Sequence, residues 1–329
     1  MIEYFIRRFI YMIFTLIFVS IVSFVIIQLP PGDYLTSYVM QLKSSGAEVS
    51  EAQLAALTRQ YGLDRPYTTQ YLLWMKNIIT KGDFGRSFNW QRPVSEIIWE
   101  RLGITALLAG LALLFALFIS IPIGIYSALR KYSVGDYAFT VMGYIGLATP
   151  NFLMAVILLF FTYKFFGVHI GGLFSPEFQN VPWSFARVRD MMNHLWAPVV
   201  VLGTADAAGL IRVMRSMLLD ELDKQYVVTA RSRGLKEGKL IAKYPVRIAL
   251  NPVASTIGWR IVSIISGAPI VSVTLNLPTT GPVLLRALMS QDMYLAGSLV
   301  LMLSALTILG TFISDVILAL LDPRIRLGE

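Results

Sequence analysis

Three ionisable side chains, Asp206, Arg260 and Asp315, interrupt stretches that are otherwise apolar and long enough to cross a bilayer. A charge at the centre of a membrane helix costs roughly 2.5–3.5 kcal/mol on insertion scales. Each should therefore face a helix bundle or a wet cavity, or take a partner. Arg260 and Asp315 are candidates to pair with each other, or to reach toward the helix ends. The chain has no cysteine and two histidines, His169 and His194. This composition excludes a disulfide framework, a thiol nucleophile and a Cys/His zinc site. The two histidines fall in one loop without a third ligand and read as solvated or interfacial. No G-x-x-x-x-G-K-[ST] occurs: GLKEGK at 234–239 has the wrong spacing and no hydroxyl, so it does not read as a nucleotide loop. No G-x-S-x-G or H-E-x-x-H occurs either. The chain is expected to carry no catalytic site and no cofactor or metal of its own.

The most informative stretch runs from Asp220 to Pro252, DELDKQYVVTARSRGLKEGKLIAKYPVRIALNP. Leu222, Tyr226 and Ala230 stand four apart and share one helical face. Gly234 then ends that helix, because glycine takes a left-handed C-terminal conformation without a Cβ penalty. A second short helix is expected from near Glu237 to near Pro245. The pair makes a helix-turn-helix in which small Ala230 permits close approach by another surface. A solvated basic loop that only fixes topology fits the same periodicity.

These residues must be held by membrane elements. Of 329 residues 56% are hydrophobic and 15% charged, against about 25% charged in soluble domains. Mean hydropathy is +0.64. Six segments have the ~20 apolar residues a spanning helix needs: Phe9–Leu29, Thr105–Leu129, Tyr137–Phe166, a weaker Leu195–Ile211, Val253–Val273 and Tyr294–Leu321. Prolines and glycines inside them, Pro150 included, are tolerable where neighbours satisfy the freed backbone. The first segment does not read as a cleaved signal, since Gln28-Leu29-Pro30-Pro31 offers no small-residue cleavage site.

The net charge of +8 reflects basic loops, not nucleic-acid binding. Arg7-Arg8, Arg130-Lys131, the basic run in 217–252 and Arg324 with Arg326 all fall on one side, assigned to the cytoplasm with both termini. The other side holds 30–103, expected to form a small external cap with helices at Glu51–Tyr61, Gln70–Thr80 and Val94–Leu102 and a turn at Lys81–Gly85. Trp74, Trp90, Trp99, Trp183 and Trp196 fit external interfacial anchoring. Arg212 and Arg215 are expected to meet lipid phosphates or to brace the loop that follows. The organisation is 1–29 (first span), 30–103 (external segment) and 104–329 (five-helix core containing loop 217–252). The fold class is an all-α membrane protein of six transmembrane helices, with a small external helical segment and a cytoplasmic helix-turn-helix.

Here a resemblance enters. Tyr226-Val227-Val228-Thr229-Ala230-Arg231-Ser232-Arg233-Gly234-Leu235 resembles the EAA-type coupling loop of binding-protein-dependent ABC importer permeases. Five further stretches resemble the B-type permease of the oligopeptide/dipeptide/nickel group: Pro31–Asp33, Tyr61–Pro66, Gly82–Ser87, Arg212 with Arg215, and Leu321–Arg326. Together they cover essentially the whole chain. The resemblance implies a second homologous permease, two cytoplasmic nucleotide-binding subunits that hold ATP and Mg, and an external substrate-binding protein, all around a chain seated in membrane lipid. It implies that Tyr226, Thr229, Ala230, Arg231, Gly234 and Leu235 couple to the ATPase, and that Asp206, Arg260, Ser272 and Asn276 lie along the cargo path. The sequence departs from the family pattern at Tyr244 (usually histidine), at Ser272 (usually glutamate), at Leu275–Gly281 and at Thr311 (usually asparagine). The cargo expected is an oligopeptide, with an oligosaccharide as the alternative. Rivals from other classes are an ion-gradient-driven secondary transporter, which would show mid-membrane carboxylates and inverted repeats, and a membrane receptor that binds without transport.

Overall fold

The structure, a computed structural model, describes residues 2–28, 64–87, 89–179 and 181–321. The described residues form twelve α-helices. They are α1 Ile2–Gln28, α2 Tyr67–Lys81, α3 Val94–Leu129, α4 Val134–Ala148, α5 Asn151–Phe166, α6 Phe185–Leu222, α7 Gln225–Ser232, α8 Glu237–Lys243, α9 Pro245–Ser255, α10 Ile257–Thr274, α11 Thr280–Met289 and α12 Met293–Leu321. Five of them are long and apolar enough to cross a membrane: α1, α3, α6, α10 and α12.

The remaining predicted span, Tyr137–Phe166, is not one rod. Its two halves, α4 and α5, meet at a bend of 107°. Pro150 is the cause. Its ring drives Thr149 out of the helical region, to φ −87 and ψ 118, and it offers no N–H to continue the ladder. The helix breaks at this proline, whereas Pro122, Pro198 and Pro269 sit inside continuous helices.

Other boundaries shift outward. The predicted external helix Val94–Leu102 runs without a break into the second span. The fourth span extends in both directions, and at 38 residues α6 is about 57 Å long against a ~30 Å hydrocarbon core. It absorbs His194, expected in a loop; its Nδ1 lies 2.8 Å from the Asp190 carbonyl oxygen one turn earlier. The fifth span is divided at Thr256 into α9 and α10.

The contacts fall into two units. The first comprises Met1–Phe9, Thr105–Pro278 and Leu309–Glu329. Its core joins α3, α6 and α9 through Ala116, Ala128, Leu210, Met214, Leu218 and Val253. Small residues set the spacing, as is usual where helices meet in lipid. A Cβ on Gly124 would stand 2.7 Å from Met214 Cβ, and one on Gly203 2.6 Å from Phe115 Cδ1.

The second unit comprises Ile10–Ile104 and Thr279–Ile308. Phe84, Val94, Ile97, Ile98, Leu295 and Leu299 form its main core. A second cluster holds Phe24, Trp74 and Leu301, so Trp74 is a core residue, not an interfacial anchor. Trp99, Trp183 and Trp196 are exposed. The predicted turn is present: Gly82 closes α2 at φ +63, and the Gly85 N–H donates to Asp83 Oδ1 at 2.8 Å. The chain then folds back so that buried Ser87 donates its Oγ–H to buried Asp292 Oδ2 at 2.5 Å. The predicted helix Glu51–Tyr61 lies outside the described residues.

Candidate functional site

The stretch 217–252 folds as a helix-turn-helix with a core of its own. Val227 and Ala230 of α7 and Leu240 and Ile241 of α8 are buried together, with Leu222, Tyr226, Leu235 and Tyr244 packed around them. Ala230 is 8% exposed, so its small side chain serves the approach of α8, inside the loop. The Tyr226 hydroxyl donates to Glu221 Oε2 at 2.5 Å, tying α7 back to the end of α6. Burial first, and then this bond, push the phenol well above its ordinary pKa. Gly234 stands at φ +74, and no atom lies within 4 Å of where its Cβ would be. Here the glycine answers a backbone demand and leaves open space outside.

The outer face is basic and braced. Arg231 grips Glu237 across the turn, Nη2 to Oε1 at 2.6 Å and Nε to Oε2 at 3.2 Å. That guanidinium holds the Glu237 carboxyl below the ordinary carboxylate range. Thr229 is exposed and donates its hydroxyl to the Gln225 carbonyl at 2.9 Å. Lys224, Arg233, Lys236, Lys239, Lys243 and Arg247 are all exposed. Of the six residues predicted for coupling, Tyr226, Ala230 and Leu235 thus build the loop, and Thr229, Arg231 and Gly234 form its surface.

Within the first unit the membrane charges find partners, though not those expected. Arg260 does not pair with Asp315. Its Nη1 lies 2.9 Å from Asp206 Oδ1 and 3.2 Å from the Asp206 carbonyl oxygen, and its Nε lies 3.2 Å from Thr256 Oγ1. Asp315 instead pairs with Arg8 at 3.1 Å. Burial explains why Arg260 needs a partner: it is 5% exposed, and an unpaired charge there would be far more costly than a paired one. Ser272 is fully buried, and its hydroxyl finds no partner among the described residues. Asn276 is exposed at φ +52. Its N–H donates to Val273 and the next N–H, of Leu277, to Ser272, at 3.2 and 2.8 Å. This is a left-handed helix stop of the Schellman type. The structure thus joins Asp206 to Arg260. Ser272 lies about 18 Å further along α10, and Asn276 just past its end.

Two anchors escaped the sequence reading. Asp136 takes both the Nε and the Nη2 of Arg215, each at 2.8 Å. A signal was present, since Ser133 and Asp136 are spaced as a helix-start pair, and the Asp136 N–H does donate to Ser133 Oγ at 3.2 Å. Asp292, which holds Ser87, carried no local signal. Among the described residues no group of three or more His, Asp or Glu side chains is placed to hold a metal.

The first unit thus holds a paired charge inside its bundle, a bent helix pair and a self-contained helical elbow between α6 and α9. The chain matches the family profile "Binding-protein-dependent transport system inner membrane component" over residues 120–327. It matches the corresponding N-terminal profile over residues 1–109. The chain belongs to this family: it is an inner-membrane, multi-pass permease subunit of a binding-protein-dependent ABC importer.

Among its relatives is the oligopeptide transport system permease protein AppB of Bacillus subtilis, 36% identical over 99% of this chain and 100% of the relative. A putative peptide permease protein of Brucella ovis is 32% identical over 99% of each chain. The oligopeptide transport system permease protein OppB of Haemophilus influenzae is 29% identical over 99% of this chain and 100% of that one. In fold, the chain is similar to a solved structure of the MetNI methionine ABC transporter in an inward-facing conformation. That match has a TM-score of 0.54 and 14% identity, and covers 69% of this chain and 96% of the other.

Proposed function

We propose that the chain forms half of an oligopeptide translocation path and is moved by ATPase subunits that seat on α7 and α8. The observation that carries this is the elbow itself. It has its own buried core and a basic exposed surface, with free space over Gly234. A short helical unit of this kind fits a groove in a partner. It sits at the end of α6, which carries Asp206, the partner of Arg260 on α10, so force on the elbow acts on the membrane core. Transport needs two global states biased differently by ATP and cargo. No nucleotide motif occurs in the chain, and on this reading the chain is not an enzyme: ATP and Mg reside in two cytoplasmic nucleotide-binding subunits. A second homologous permease completes the path and an external binding protein delivers cargo. The termini and the elbow share the cytoplasmic side. Asp206, Arg260, Ser272 and Asn276 are proposed to border the path, the ion pair at one end of α10 and the other two at its opposite end. Peptide is favoured over oligosaccharide because relatives matching nearly the whole chain are named for peptide transport.

The test is to purify the tagged chain in mild detergent and identify what elutes with it. The expected result is a second permease, ATPase subunits and a binding protein whose ligand, by mass spectrometry, is a peptide. A bound sugar would overturn the cargo. Uptake that survives loss of ATP but collapses with an ion gradient would overturn the mechanism.

A further inference from the structure

Arg215 and Arg212 stand one turn apart on α6 and have different fates. Arg215 is consumed by its two bonds to Asp136. Arg212 is exposed and makes no ion pair or side-chain hydrogen bond among the described residues. It lines a cavity of about 410 Å³ between α4 and α6. The helices run in opposite directions there, with Asp136 beside Arg215 and Gly143 beside Ala208. One end of the groove is therefore apolar, walled by Tyr144, Leu147 and Ala208. The other is polar, with Tyr132, Arg215 and Asp220. The Tyr144 hydroxyl, on the α4 face, also makes no hydrogen bond among the described residues, whereas Tyr137 interacts electrostatically with Arg215. Asp220 lies about 12 Å beyond Arg212 along the helix, and leaves the guanidinium donors free.

An amphiphilic groove lying along two helices of a membrane protein, with one free guanidinium part-way along, has the chemistry to hold a phosphate diester bearing an acyl chain. We propose that this groove is a phospholipid site. The acyl chain lies along Tyr144, Leu147 and Ala208, and the phosphate sits at Arg212. Arg215 is then the brace that fixes the groove's width through Asp136, and Arg212 is the ligand residue.

The test places a photoreactive group in the groove by Tyr144→p-benzoylphenylalanine. The full-length chain with its co-purifying subunits is reconstituted in nanodiscs of dioleoylphosphatidylglycerol, or of a phosphate-free diglucosyl diacylglycerol. After illumination, mass spectrometry is expected to find an intact phospholipid adduct. Arg212→Ala should lower its yield about fivefold, the worth of one interfacial arginine, and Arg212→Lys should retain most of it. The phosphate-free lipid should give only the low yield of Arg212→Ala. Because Arg212 is exposed, an unchanged elution profile checks that the variants fold. An adduct on another polypeptide would make the groove a protein interface and overturn the proposal. Equal yields with and without Arg212, or no lipid adduct at all, would reduce the contact to bulk lipid and overturn it as well. Competition by excess inorganic phosphate as complete as the Arg212→Ala effect would show an ion site, not a lipid site.

Discussion

Two small residues in one loop do different work. Gly234 is in the left-handed region, where a side chain costs roughly 1–2 kcal/mol, and it faces open space. Ala230 is packed against α8, where added methylenes cost about 1–3 kcal/mol by overpacking. Gly234→Val is expected to leave the chain in the membrane but to cut cargo-stimulated uptake more than ATP hydrolysis. Ala230→Leu is expected to loosen the loop itself, seen as faster amide exchange in α7 and α8. Full uptake in Gly234→Val would remove the coupling role. The Asp206–Arg260 pair gives a second expectation. Asp206→Ala should destabilise the detergent-solubilised chain by about 3–5 kcal/mol, because it strands a buried guanidinium, and Asp206→Leu with Arg260→Met should recover most of that loss. Thermal unfolding of the two variants decides. A third concerns pH. The Glu237 carboxyl is held below its ordinary value by Arg231, so the folded loop binds fewer protons than the unfolded one. Its contribution is complete above the ordinary carboxylate pKa and is lost as pH falls through the depressed one. Amide exchange around 231–237 should quicken in that acid window in the native chain and lose the pH step in Glu237→Gln. Gly234 was legible in sequence because a glycine between two periodic stretches has one common meaning. The partner of Arg260 was not, because hydropathy locates charges along the chain and is silent on which helices touch.

At the scale of elements, most helices were legible from apolar runs, and the errors share one cause. Window hydropathy registers length and polarity but not backbone geometry, so α4 and α5 read as a single span. Pro122, Pro198 and Pro269 look the same in sequence as Pro150 yet stay within helices. What distinguishes Pro150 is that α5 starts afresh behind it, with Pro150 as its N-cap at ψ 139. Pro150→Ala removes both the ring clash and the missing donor, together worth about 3 kcal/mol in a helix interior. Spin labels at Val141 and Phe160, both exposed, should then move apart as the 107° bend opens. An unchanged label distance would mean that packing on α6, not the proline, sets the bend.

For the molecule as a whole, composition alone pointed to a membrane protein, and six ordered stretches pointed to its family. The proposed site was legible where its structure depends on local backbone, as in the elbow. Structure that depends on pairs far apart in sequence was not legible. Ser87 and Asp292 show this most plainly, being 205 residues apart. That separation has a consequence for biogenesis. The turn around Gly82–Ser87 leaves the ribosome and reaches its side of the bilayer long before Asp292 is synthesised. Until then Ser87 lacks its acceptor, as does the Asn89 N–H, which binds the same carboxylate at 3.1 Å. A nascent chain arrested just upstream of Asp292 should therefore display this segment unlatched and open to added protease, and release of the remaining residues should close it.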